Sequence, residues 1–178
     1  MKIVKYIALI LILICTGQQT VNAQKTLKVW IVRHAEKLTD DPKDKDPDLS
    51  TEGKERAQAL AKYLKGEKID TIYATNYKRT KLTGFPLADQ IGISVKTYDA
   101  AQQKELVKQL MGNARGEKIV LIGHSNTVLE IVETFGIAKP VKALTDEDYD
   151  YIFEVTVKGD KAAVKVNRYG IAHHSKEE

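Results

Sequence analysis

A three-layer α/β/α domain, with a mostly parallel sheet and a closing antiparallel hairpin, is predicted by three observations. Apolar β-type runs alternate with amphipathic helical stretches along the chain. Two of those runs, at 29–32 and 119–122, are continuously apolar, as strands buried on both faces are. The final pair of runs alternates with period two around Lys158-Gly159-Asp160 and reads as a hairpin.

The elements follow in order. Residues 27–32 read as a buried strand, and 40–48 as a polar loop punctuated by Pro42 and Pro47. Ser50 caps a helix running to about 65, with Ala57, Leu60, Ala61 and Leu64 on one face and Gly66 as its stop. A strand at 69–74 leads to a helix at 77–90 that Pro86 is expected to bend. A short strand at 94–98 precedes a helix at 103–111, with Leu106, Val107 and Leu110 inward and Gly112 closing it. A strand at 119–122 is followed by a helix at 125–135, then by strands at 151–157 and 162–169. The tail 173–178 is expected to fray. The sequence contains no internal repeat and no low-complexity segment.

Residues 1–23 stand apart from this pattern. Lys2 and Lys5 precede an unbroken apolar run at 7–14, and Val21-Asn22-Ala23 offers small-residue cleavage spacing. That is the form of a secretory signal peptide, and the run is too short to span a bilayer comfortably. The expectation is a domain at 24–178 in a periplasmic or secreted protein, with no stable membrane insertion after cleavage. The lone cysteine, Cys15, follows Ile14 where lipoprotein processing wants a small residue, so lipid anchoring is not expected. With Cys15 removed, neither a disulfide framework nor thiolate catalysis is available. The leader also takes two lysines and no acid from a formal net charge of +4, and no basic block suggests a nucleic-acid partner.

Two of the four histidines sit just past predicted buried strands, in Arg33-His34-Ala35-Glu36 and Gly123-His124-Ser125-Asn126. The carboxyl ends of parallel strands meet at one crevice, where open α/β sheets bind ligands. Arg79 follows the second strand, on the first turn of a helix whose amino end also favours anions. Arg33 and Arg79 carry permanent charge and a planar fork of donors suited to phosphate oxygens. A neutral imidazole near its reference pKa of about 6.5 is a competent nucleophile toward phosphorus. His34 is assigned that role, with the arginines and a protonated His124 meeting the charge on the phosphoryl oxygens. With the guanidinium groups doing the charge work, no metal or other cofactor is expected.

These motifs resemble those of the histidine phosphatase superfamily, the phosphoglycerate mutase-like group. Arg33-His34-Ala35 is similar to its Arg-His-Gly, and Leu49-Ser50-Thr51-Glu52-Gly53 to its Leu-Thr/Ser-x-x-Gly. Arg79 and Thr83 match its Arg-x-x-x-Thr segment, and Gly123-His124-Ser125 its second histidine motif. The resemblance implies His34 as the phosphorylated nucleophile, with Arg33, Arg79 and His124 completing the pocket. Two departures stand out. Ala35 replaces the usual glycine, and Ser125 follows His124 where many members have glycine, so Ser125 or Asn126 is expected to add a donor.

The proton donor to the leaving oxygen is open at this stage. Asp99, just past the third strand, leads. Glu36 is second, with an ion pair to Lys37 or another surface base as its ordinary reading, and Glu105 is expected to face solvent. The compact phosphohistidine phosphatases of the family manage without a dedicated acid. Asp44-x-Asp46-x-Asp48 lacks the glycine and distal glutamate of a calcium loop and reads as a solvated rim of the pocket, a flap able to select substrate. His173-His174 is read as inert rather than metal-binding.

The expected activity is an exported, metal-independent phosphomonoesterase acting on a phosphorylated small molecule or a phosphoprotein. A phosphohistidine phosphatase and a phosphoglycerate-type mutase are the rivals within the fold. A serine hydrolase built on Ser125 lacks the closing glycine of a nucleophile elbow. A non-catalytic phosphate-binding module would not need His34.

Overall fold

The computed structural model describes residues 25–175. The expected leader at 1–23, Cys15 with it, Gln24 and the last three residues of the tail lie outside the described residues. Strands run β1 (Leu27–Arg33), β2 (Thr71–Thr75), β3 (Val95–Tyr98), β4 (Lys118–Gly123), β5 (Tyr151–Lys158) and β6 (Lys161–Arg168). Helices run α1 (Thr51–Tyr63), α2 (Lys78–Ile91), α3 (Gln103–Asn113) and α4 (Ser125–Thr134), with a 3₁₀ turn at Ala100–Gln102 before α3.

One six-stranded sheet has the order β3-β2-β4-β1-β5-β6. β3, β2, β4 and β1 are mutually parallel, and the β5–β6 hairpin joins β1 antiparallel. Alternate residues of β1 therefore feed two cores. Val29 and Ile31 pack with Val107 and Leu110 of α3 and with Val128, Ile131 and Val132 of α4. Trp30 and Val32 pack with Leu60 and Ala61 of α1 and with Leu87 and Ala88 of α2. Helices thus cover both faces, and the three-layer class is as the alternation of elements predicts. Leu60 is fully buried. Its replacement by alanine would cost about 2–5 kcal/mol.

Ser50 caps α1, its hydroxyl accepting from Gly53 N at 3.1 Å. Two local expectations are corrected. Gly112 does not end α3, which runs on to Asn113 because Gly112 has open space around it and keeps a helical backbone. The tail does not fray at its start. His173 N and Ser175 N donate to the Asp150 and Asp148 carboxylates, and Tyr149 N donates to His173 O. No helix among the described residues is long and apolar enough to cross a membrane.

Candidate active site

The parallel register fixes where the chemistry gathers. Arg33, the last residue of β1, lies opposite Gly123, the last residue of β4. His34 N then donates to Gly123 O at 2.9 Å, so both histidines leave the sheet side by side. Their ring centroids are 5.3 Å apart, with the planes at 67°. Gly123 allows this closeness: a Cβ there would meet Thr127 Oγ1 at 2.9 Å and Tyr98 Oη at 3.3 Å.

Each ring is oriented by one neighbour. His34 Nδ1 lies 2.7 Å from Ala35 O. A carbonyl can only accept, so Nδ1 carries the proton and the Nε2 lone pair is left free. His124 Nε2 lies 2.8 Å from Thr75 Oγ1, whose own proton goes to Thr80 Oγ1 at 3.1 Å. Thr80 is held in turn by the carbonyls of Thr75 and Tyr77. Burial lowers the pKa of His34 from 6.5 to about 3, with Arg33, His124 and Arg79 adding to the effect. It lowers His124 to about 4, helped by Arg79 and Arg33. Both rings are therefore neutral at ordinary pH. The expectation of a protonated His124 is corrected for the ligand-free site, where desolvation and two guanidiniums oppose a third positive charge.

Arg33 and Arg79 flank the rings. Arg33 Nη1 donates to the carbonyls of Thr145 at 2.8 Å, Asp146 at 3.1 Å and Asp148 at 3.4 Å. Its guanidinium lies 3.9 Å from the Tyr149 ring centroid. The Arg79 guanidinium lies 4.3 Å from the Tyr77 ring centroid, and Nη1 faces Asp46 Oδ1 at 3.7 Å. The Nε of each arginine is buried with no hydrogen-bond partner among the described residues. Two orphaned donors on permanent cations mark a place where an anion belongs.

The segment after His34 is firmly seated. Ala35 N donates to Thr83 Oγ1 at 2.9 Å, and the Ala35 methyl packs with Leu49 and Ala57. Ala35 is not in the left-handed region, where Lys68 is the non-glycine residue found among those described. An alanine therefore takes the usual glycine's place without strain. Gly53 closes on this segment from α1, where a Cβ would sit 2.0 Å from Glu36 O. The Glu36 carboxylate is bound by Arg56 Nε at 2.9 Å to both oxygens. Its ordinary partner is thus the buried Arg56 rather than Lys37. Burial pulls the Glu36 carboxyl upward, but the bonds from Arg56 and His173 outweigh it and hold the pKa below the usual range. Glu36 is ionised and cannot serve as an acid.

The remaining expected residues lie around this centre. Ser125 is half-buried and Asn126 exposed at the amino end of α4, which Thr127 closes by accepting from His124 N at 3.0 Å. Asp99 is exposed and accepts from Ala101 N at 2.9 Å, capping the 3₁₀ turn. It lines a neighbouring cleft of about 600 Å³ together with Thr75, Tyr77 and Tyr98. The loop at 40–48 is not merely solvated. Asp46 Oδ1 accepts from Lys78 N at 2.8 Å, at the amino end of α2.

Sequence reasoning missed Thr75, Tyr77, Tyr149, Asp146 and His173. A signal for two of them existed. β5 runs antiparallel to β1, so its amino end, with Asp146 and Tyr149 just before it, lies at the edge where the parallel strands finish.

Known proteins resemble this chain in sequence and in fold. The model of the histidine phosphatase superfamily, branch 1, matches residues 29–102, a span holding the Arg33-His34 and Arg79 motifs. Over that span the chain is similar to the histidine phosphatase superfamily. A curated relative, phosphoserine phosphatase 1 of Hydrogenobacter thermophilus, is 39% identical over 78 residues, covering 41% of this chain. The match spans about a third of that relative's length, 36%. Solved structures share the fold. The protein histidine phosphatase SixA complexed with tungstate has a TM-score of 0.62 at 20% identity, covering 78% of this chain and 94% of that one. A mycobacterial glucosyl-3-phosphoglycerate phosphatase has a TM-score of 0.63 at 11% identity, covering 83% of this chain and 100% of that one.

Proposed function

We propose that this protein is an exported, metal-independent phosphatase of the histidine phosphatase superfamily that hydrolyses phosphomonoesters through a phosphohistidine on His34. One observation carries the reading. A free Nε2 lone pair on a neutral His34 stands beside His124, between two arginines whose buried Nε groups lack partners among the described residues. That set supplies a nucleophile and the donors for a tetrahedral anion at one place. The leader-like residues 1–23 support export.

His34 Nε2 attacks phosphorus as the P–O bond to the leaving group breaks. The leaving oxygen takes a proton and departs as the alcohol. Water then attacks the phosphohistidine, giving inorganic phosphate and restoring the neutral ring. A bound phosphoryl dianion brings negative charge beside His124, which raises its proton affinity from the lowered starting value. His124 then becomes the donor that complements the arginines. Asp99, which lines the adjoining cleft, is the candidate acid for the leaving oxygen.

Phosphate release from a panel of monoesters, with and without chelator, tests the reading. His34→Ala is expected to abolish release and leave the fold intact, since His34 lies at a strand-to-loop junction. Turnover retained in that variant, or lost on chelation, contradicts the proposal. Asp99→Asn is expected to slow alkyl monoesters about 10²-fold while sparing aryl phosphates, whose leaving groups need no proton. Equal slowing of both removes Asp99 from the role.

A further inference from the structure

The turn at 145–149 belongs to no helix or strand, yet it sets the direction of Arg33. Something outside the turn must hold it. Its far side is covered by the tail that sequence reasoning expected to fray. Asp148 accepts from Thr145 N within the turn and from Ser175 N and Oγ of the tail. Asp150 accepts from His173 N, His174 Nδ1 and Arg168 Nη1. One tail side chain also reaches the nucleophile's segment. His173 Nδ1 lies 2.8 Å from Glu36 Oε1, two residues beyond His34. Its Nε2 lies 3.2 Å from Glu147 Oε2 in the turn, and its ring centroid is 5.1 Å from that of Tyr149, the platform under Arg33.

We propose that His173 is a positioning residue for the anion site, clamping the turn that aims Arg33 against the segment that carries His34. The inference rests on the phosphatase reading for its kinetic consequence, and on the anion site alone for its binding consequence.

Both ring nitrogens face carboxylate oxygens, so both must donate, and only the imidazolium form has two donors. The groups facing the ring are Glu36 after β1, Glu147 and Tyr149 in the turn, and Arg56 and Glu52 on α1. The bond to Glu36 is the largest influence and raises the His173 pKa, against opposition from partial burial and Arg56. As pH climbs through that raised value, one nitrogen loses its proton and turns a lone pair toward a carboxylate. The clamp then loosens and Arg33 loses its aim. A neutral glutamine offers both its donors from one nitrogen, without the two-sided reach of the ring, and its charge does not change with pH.

Tungstate binding by calorimetry tests this on the full chain, with His173→Ala and His173→Gln beside wild type. Aryl phosphate kinetics are followed in parallel from pH 6.5 to 9.5. At pH 6.5, His173→Ala is expected to bind tungstate about tenfold more weakly, equivalent to about 1.4 kcal/mol. KM for the aryl phosphate should rise by a similar factor, and His173→Gln should fall between the two. Raising the pH should weaken wild-type binding toward the alanine value while both variants stay nearly flat. Variants that melt earlier but keep wild-type tungstate affinity and pH profile would overturn the proposal. A wild type that binds tungstate yet releases phosphate from no monoester would sink the phosphatase reading, and the tungstate arm would still decide the part played by His173.

Discussion

The two halves of the anion site use the same parts and hold them differently. Each half sets a histidine beside an arginine that stacks on a tyrosine with a carboxylate nearby. His34, Arg33, Tyr149 and Asp146 form one half, and His124, Arg79, Tyr77 and Asp46 the other. Arg33 is fastened by three backbone carbonyls and its side chain is 5% exposed. Arg79 has an ion partner at 3.7 Å, its side chain is 14% exposed, and Tyr77 lies open at the rim. His34 is likewise pushed further from its ordinary pKa than His124, to about 3 against about 4. Arg33 and His34 are more deeply buried than Arg79 and His124, and each half borders an open cleft. The firmer fastening lies around the nucleophile.

Substitution of the arginines should split along that line. Arg33→Ala removes a site donor and also leaves three backbone carbonyls, that of Asp148 buried, short of a partner. It is expected to lose activity below detection and to melt earlier. Arg79→Ala should cost about 10²- to 10³-fold in turnover, the scale of one preorganised donor, with little change in melting temperature. Equal losses of stability in the two variants would erase the contrast between the halves.

A smaller effect separates the histidines. Each has a folded pKa below its unfolded value of about 6.5, so the unfolded chain binds more protons between those limits. Both therefore make stability rise with pH, and stability is lost as pH falls from about 6.5. The loss attributable to His124 ends near pH 4 and that of His34 near pH 3. Urea midpoints measured from pH 7 to pH 3.5 should fall less steeply in His34→Gln and in His124→Gln than in wild type. Below pH 4 the relief should persist in the His34 variant alone. Identical slopes in all three proteins would mean that neither ring is held neutral by burial.

The sequence revealed much of this because the first half of the story is local. Strand runs ending in Arg33-His34 and Gly123-His124 follow from period and composition, and parallel pairing then brings their ends together. The ion partner of Glu36 was hidden because Arg56 lies 20 residues on, on the far wall of the loop that follows β1. Tyr149 and His173 were hidden for a stronger reason. Their segment joins the site through an antiparallel hairpin and a tail turn, contacts that span more than a hundred residues. Polar residues near a chain end have no periodicity, so only tertiary packing separates a strap from a frayed tail. Asp46 was read as rim, and its bond to the amino end of α2 depends on where a proline-punctuated loop lands.

The most direct measurement is a crystal structure of the protein soaked in tungstate. The account predicts one tetrahedral oxyanion seated beside His34 Nε2, accepting from Arg33, Arg79 and His124 together. An oxyanion bound at another place, with those four side chains pointing apart, would contradict it.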